Sequence, residues 1–194
     1  MLKLLGKFFN KVLTSLPEPI EPKVYDDGLK ELTPAEKAEL SRRKKNLRAF
    51  IKAITPHLNE TESQRLARMA AKAIDDEFDS LYALEEAMSC QKRGQWVFIY
   101  FEWKAVDEIA WQVSEILDLY DIKEKWTYTN YTDSSETVNA LNNLSKWLNS
   151  IGFSLVHVKN SGDDYCHFIV KTPSLPKVKE LASIAEIKID EWND

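Results

Sequence analysis

Ten consecutive residues, QWVFIYFEWK (Gln95–Lys104), constrain the fold more than any other stretch. They are rich in aromatic and β-branched side chains, which suit a pleated surface. Successive side chains of a strand point to opposite faces, so a run that is apolar at both parities reads as a central strand. Further on, FSLVHVK (Phe153–Lys159) and YCHFIVK (Tyr165–Lys171) flank NSGDD, a loop with turn chemistry, and predict a hairpin. With residues 160–164 as its loop, His157 stands opposite His167.

Helical patterns fill the intervals. TPAE (Thr33–Glu36) is a capping-box signal for a helix that runs to about Ile54, before Thr55-Pro56. Thr61 and Gln64 signal a second cap, and Leu81, Leu84 and Met88 stripe a third helix that Gly94 ends. Val106, Ile109, Ala110, Val113, Ile116, Leu117 and Tyr120 share one face of a helix over 105–120. A strand is expected near Trp126–Tyr131, and a helix capped by Asp133 and Glu136 after it, with Gly152 past its end. Leu175–Ala185 reads as helix and Glu186–Asp190 as a closing edge strand. The order is three helices, then β-α-β-α-β-β-α-β. It predicts an α/β (α+β) fold with a mixed sheet and helices over at least one face. The expected divisions are an amphipathic helix over 1–16, a linker over 17–32, a helical segment over 33–93 and an α/β domain over 95–192, with 33–192 as one compact unit.

Residues 1–16 carry Met1, Leu4, Leu5, Phe8, Phe9, Val12, Leu13 and Leu16 on one helical face, with Lys3, Lys7 and Lys11 opposite. Pro17 and Pro19 stop the pattern. Such a segment docks on its own domain, meets a membrane interface through Lys3, Lys7, Phe8, Phe9 and Lys11, or binds a partner. No apolar run approaches the ~20 residues of a membrane span.

Charge divides the chain. Residues 1–52 hold 12 Lys/Arg against 7 Asp/Glu, and the remainder holds 14 against 24. An acidic body repels nucleic-acid backbones and suits a basic protein partner. With only five glycines, a phosphate-cradling loop is not expected. Two isolated cysteines, Cys90 and Cys166, fit a reducing, cytoplasmic compartment. No cofactor is expected.

Two chemical constellations stand out. His157 and His167, with Asp164, form the one metal-binding set the hairpin suggests, although a partly buried sheet face explains the histidines as well. Glu102 and Lys104 match the E-x-K of metal-dependent nucleases, with Asp107 or Glu108 as further carboxylates. That pattern also needs an aspartate on a neighbouring strand. There is no G-x-S-x-G elbow. Trp147 falls beside rather than on its helix's apolar stripe, as an exposed interface anchor would.

The strand ending FEWK that runs into AVDEIAWQ (Ala105–Gln112), together with LxxIGFSLVHV…DDYCHFIVK, resembles a domain-of-unknown-function family of small bacterial cytoplasmic proteins. The hairpin is also similar to those of small immunity-type proteins. The resemblance covers roughly residues 95–190, with Trp103, Glu108, Asp164 and Tyr165 as its distinctive residues. It implies no activity and transfers no functional residue. The leading expectation is a non-enzymatic binding module of the immunity or antitoxin kind. It would meet a basic protein through an acidic, aromatic surface that includes Trp147, Asp163, Asp164 and Tyr165. A metal-dependent hydrolase and a membrane adaptor held by residues 1–16 are the alternatives.

Overall fold

The computed structural model describes residues 32–74, 79–102, 105–128, 136–160, 162 and 164–192. The amphipathic segment 1–16, with Lys3, Lys7, Phe8, Phe9 and Lys11, lies outside these residues, as do the linker up to residue 31 and Lys104, Asp133 and Asp163. Residues 33–194 form one compact unit.

Thr33 caps the first helix, α1 (Pro34–Ile54), by the reciprocal bonds its sequence predicts. Glu36 N donates to Thr33 Oγ1 at 3.2 Å and Thr33 N to Glu36 Oε2 at 2.7 Å. The second helix, α2 (Glu60–Ala73), is capped two residues earlier than expected, by Asn59, whose side chain accepts from Glu62 N at 2.9 Å. Asp79 caps α3 (Ser80–Ser89) in the same way. After the strand β1 (Phe98–Glu102) come α4 (Asp107–Leu119) and α5 (Glu136–Ser150). Gly152, at φ 84°, supplies the left-handed residue that turns the chain out of α5. The hairpin β2 (Phe153–Val158) and β3 (Asp164–Lys171) then leads through a 3₁₀ turn into α6 (Leu175–Ile184) and β4 (Ile189–Glu191).

The α+β class read from the sequence holds, with the strands arranged differently inside it. The sheet order is β1-β3-β2-β4 and every pairing is antiparallel. Trp126, Thr127 and Tyr128 are not in a strand, so the parallel pairing of a mixed sheet does not arise among the described residues. Trp126 is instead buried beside α5, with its Nε1 donating to Asn143 Oδ1 at 2.9 Å. The aromatic run is not central either. It forms the outer strand β1, and its two apolar faces are explained by helices on both sides of the sheet.

Those helices divide the core in two. Phe98, Val156, Cys166, Phe168 and Val170 face α1, α2, α3 and α6. Ile99, Phe101, Phe153, Leu155 and Ile169 face α4 and α5. Alternation along each strand places consecutive residues in different cores. Phe168 anchors the first, edge-on to Phe50 at 6.1 Å and to Phe98 at 6.0 Å. It is fully buried. Phe168→Ala is expected to lower unfolding stability by about 3–5 kcal/mol through loss of transfer free energy and the cavity left behind, as read by urea denaturation.

Candidate functional site

β1 pairs with β3 on one side only, from Phe98 opposite Phe168 to Glu102 opposite Asp164. An open edge leaves alternate backbone N–H and C=O groups unpaired. Here two glutamine side chains take the place of a neighbouring strand. Gln91, just after α3, accepts from Val97 N and Phe98 N, each at 3.0 Å, and donates Nε2 to Phe98 O at 3.2 Å. Gln112, buried on α4, accepts from Tyr100 N at 2.9 Å and donates to Tyr100 O at 3.0 Å. A primary amide carries a donor and an acceptor side by side, as a peptide group does, and can pair with both backbone groups of one residue.

Beside this closed edge lies a groove of about 740 Å³. The first turns and the middle of α3 supply Tyr82, Glu85 and Glu86 to one wall, and α4 supplies Glu108, Trp111 and Gln112 to the other. Trp96 and Tyr100 line it from β1 and the residues before it, and Asp164 from the start of β3. Tyr82, Tyr100 and Trp111 are 39%, 45% and 44% exposed, three of the five large apolar side chains that the described surface leaves open. The Trp96 and Trp111 rings lie 5.1 Å apart at 59°.

The polar chemistry of the walls has one sign. Glu85, Glu86, Glu108 and Asp164 line the groove, and no lysine or arginine is among the described lining residues. Each described wall side chain that carries a polar hydrogen donates one to the protein itself. Tyr100 Oη donates to Asp164 Oδ2 at 2.5 Å, Trp111 Nε1 to Glu108 Oε2 at 2.6 Å and Tyr82 Oη to Glu86 Oε1 at 3.2 Å. Trp96 Nε1 donates to Gln112 Oε1 at 3.2 Å, Ser89 Oγ to Glu86 O at 2.8 Å and Asn160 Nδ2 to Asp164 O at 3.2 Å. The hydroxyl and indole hydrogens of the described walls are thus taken, and the walls present mainly carboxylate oxygen and aromatic surface. The Asp164 carboxylate pushes the Tyr100 phenol up to about 12, so the phenol keeps its proton. Partial burial raises the Glu85 carboxyl, with Asp79 and Asp164 adding to the effect.

The residues singled out in the sequence fall in several places. Asp164 and Glu108 belong to the groove. Glu102 is exposed and sits opposite Asp164 on a neighbouring strand, so an aspartate does adjoin it. Asp107 is exposed at the start of α4. Among the described residues, no three His, Cys, Asp or Glu converge as metal ligands. Tyr165 points to the face opposite Asp164 and stacks on Phe101 at 5.5 Å. Trp147 is half-buried against the second core and does not line the groove. Of the described members of the expected surface, Trp147, Asp164 and Tyr165, Asp164 alone lines the groove.

His157 and His167 do face each other, in the register the loop length predicts, with rings 4.9 Å apart. Asp164 is on the other face of the sheet by alternation and cannot join them as a ligand. Trp192 packs edge-on against both imidazoles, at 5.8 and 5.1 Å. Burial drives the His167 imidazole well below its usual range, with His157 adding to the effect, and burial lowers His157 too. His57 falls to about 4 for the same reason, opposed by its hydrogen bond to Trp96 O at 3.0 Å.

Sequence reading passed over Gln91, Gln112, Trp111 and the α3 carboxylates. Gln112 did leave a signal: it occupies an apolar position in the series Ile109, Gln112, Val113, Ile116. The fold and groove define an α+β protein with a four-stranded antiparallel sheet and an acidic, aromatic cleft along one edge. The family model for Domain of unknown function (DUF6630) matches residues 46–192, and the chain belongs to that family. The match begins within α1 and takes in α2 and α3, so the family extends upstream of the stretch on which the sequence resemblance rests. No curated protein and no solved structure matches the chain. Among the described residues, no helix is long and apolar enough to cross a membrane.

Two outcomes are expected. Gln112→Leu leaves Tyr100 N–H and C=O without partners and is expected to cost about 1–3 kcal/mol per group that water does not reach, in urea denaturation. Burial lowers all three histidines in the folded chain, His167 furthest, while the unfolded chain takes up protons near pH 6.5. Stability is therefore full above that value and falls as pH drops through it. A histidine held neutral throughout costs about 2 kcal/mol between pH 7 and pH 5, and His167→Phe is expected to flatten the urea-midpoint profile over that interval.

Proposed function

We propose that this protein is a non-enzymatic binding module whose groove takes basic side chains of a protein partner. The observation that carries the reading is the composition of the groove: four carboxylates, the exposed aromatic side chains Tyr82, Tyr100 and Trp111, and hydroxyl and indole hydrogens already taken up within the protein. Such walls suit a guest that brings positive charge and N–H donors, and they repel phosphate and carboxylate groups. Complementary charge also speeds encounter with a basic partner and rejects acidic ones. In its narrower form the proposal is an immunity-type role in a bacterial cytoplasm, in which the groove covers a basic site on the partner and neutralises it.

The test is a titration of the full chain with two capped decapeptides, followed by tryptophan emission. One alternates serine with lysine and arginine, and the other alternates serine with glutamate. The basic peptide is expected to bind, with affinity falling as salt rises, and the acidic one is not. Glu85→Gln combined with Asp164→Asn is expected to weaken the basic peptide about tenfold, or about 1.4 kcal/mol. Equal affinity for the two peptides, no affinity for the basic one, or indifference to the charge-removing variant would each overturn the proposal.

A further inference from the structure

Resting on the cation-binding reading above, we infer that the groove selects a guanidinium, so that the partner inserts an arginine side chain rather than a lysine. Three features of the walls favour it. The first is the state of the indoles. Trp96 Nε1 and Trp111 Nε1 both donate within the protein, so Trp111, 44% exposed, offers a guest its ring and not its N–H group. A guanidinium is flat and stacks on such a face while its five N–H donors stay free in the plane. An ammonium is a compact, strongly hydrated point charge with no face to stack.

The second feature is the spread of the acceptors. They come from three elements: Glu85 and Glu86 from α3, Glu108 from α4 and Asp164 from β3. Among the described residues, Glu85 makes no hydrogen bond or ion pair, and it is raised by burial and by the charges of Asp79 and Asp164. A cation beside it relieves both effects. A fan of donors can reach acceptors on separate walls, whereas the three hydrogens of an ammonium leave one atom. The weaker hydration of the guanidinium also lowers the cost of entering a cleft whose lining is partly aromatic.

The third feature decides how the guest arrives. An extended segment cannot add itself to β1 at Phe98 and Tyr100, because Gln91 and Gln112 already hold those backbone groups. Strand addition is blocked there, and recognition falls to a side chain that reaches into the groove.

The test uses three capped heptapeptides, Ser-Xaa-Gly-Ser-Xaa-Gly-Ser, with Xaa arginine, lysine or citrulline, titrated against the full chain by calorimetry and tryptophan emission. Citrulline keeps the planar head and removes the charge. The arginine peptide is expected to bind at least about fivefold more tightly than the lysine peptide, and the citrulline peptide not at all over the same concentrations. Trp111→Leu, at an exposed position and checked for fold by circular dichroism, is expected to bring the arginine-to-lysine ratio towards one. Lysine binding as tightly as arginine, or a ratio unchanged by Trp111→Leu, overturns the guanidinium inference and leaves the cation-binding reading standing. Failure of both charged peptides overturns the reading beneath it, and citrulline binding like arginine overturns both.

Discussion

A strand at the edge of a sheet leaves alternate backbone groups without a ladder partner, and β1 is such a strand, with Phe98, Ile99 and Phe101 buried among the helices. Helices on its two sides exclude water from much of its length, so those groups need partners from the protein. Gln91 and Gln112 provide them, one from the turn after α3 and one from α4. The two amides thereby tie both helices to the strand. The relative placement of α3, β1 and α4 follows from that closure, and so does the groove between the helices.

The same bonds shape the chemistry of the groove. Gln112 accepts from both Tyr100 N and Trp96 Nε1, which orients the indole while completing the edge. Tyr100 and Trp111 in turn donate to Asp164 and Glu108. Each of these bonds orients a carboxylate and removes a donor from the wall. Partial burial raises the Glu85 carboxyl, and the like charges of Asp79 and Asp164 add to the effect.

On the far side of the sheet the polar residues behave differently. His157 and His167 share a face with Tyr165 and Phe101, and Trp192 closes over the imidazoles. Trp192 is held by its own bonds, with Nε1 donating to Asn142 Oδ1 at 2.7 Å and the backbone N to Leu155 O at 2.9 Å. The imidazoles serve there as flat, neutral packing groups.

Local signals determined many of the elements of this fold. The capping box at Thr33–Glu36, the helix stripes, the hairpin and its His157–His167 register were all legible, because each depends on residues near one another in sequence or on the period of a single element. The acidic character of the body was legible in composition alone. What the sequence left undecided was how separate elements meet. Apolar residues at both parities made β1 look central, yet burial of side chains and pairing of an edge are independent, and helices supplied the first while side-chain amides supplied the second. Trp126 was read as a strand residue because an aromatic fits a helix-packed core as readily as a sheet. Asp164 and Tyr165 are neighbours in sequence on opposite faces of the sheet, whereas Glu85, Glu108 and Asp164 come from distant segments into one cleft. Only tertiary packing brings them there, because a groove is a property of the distances between elements and no single segment encodes it.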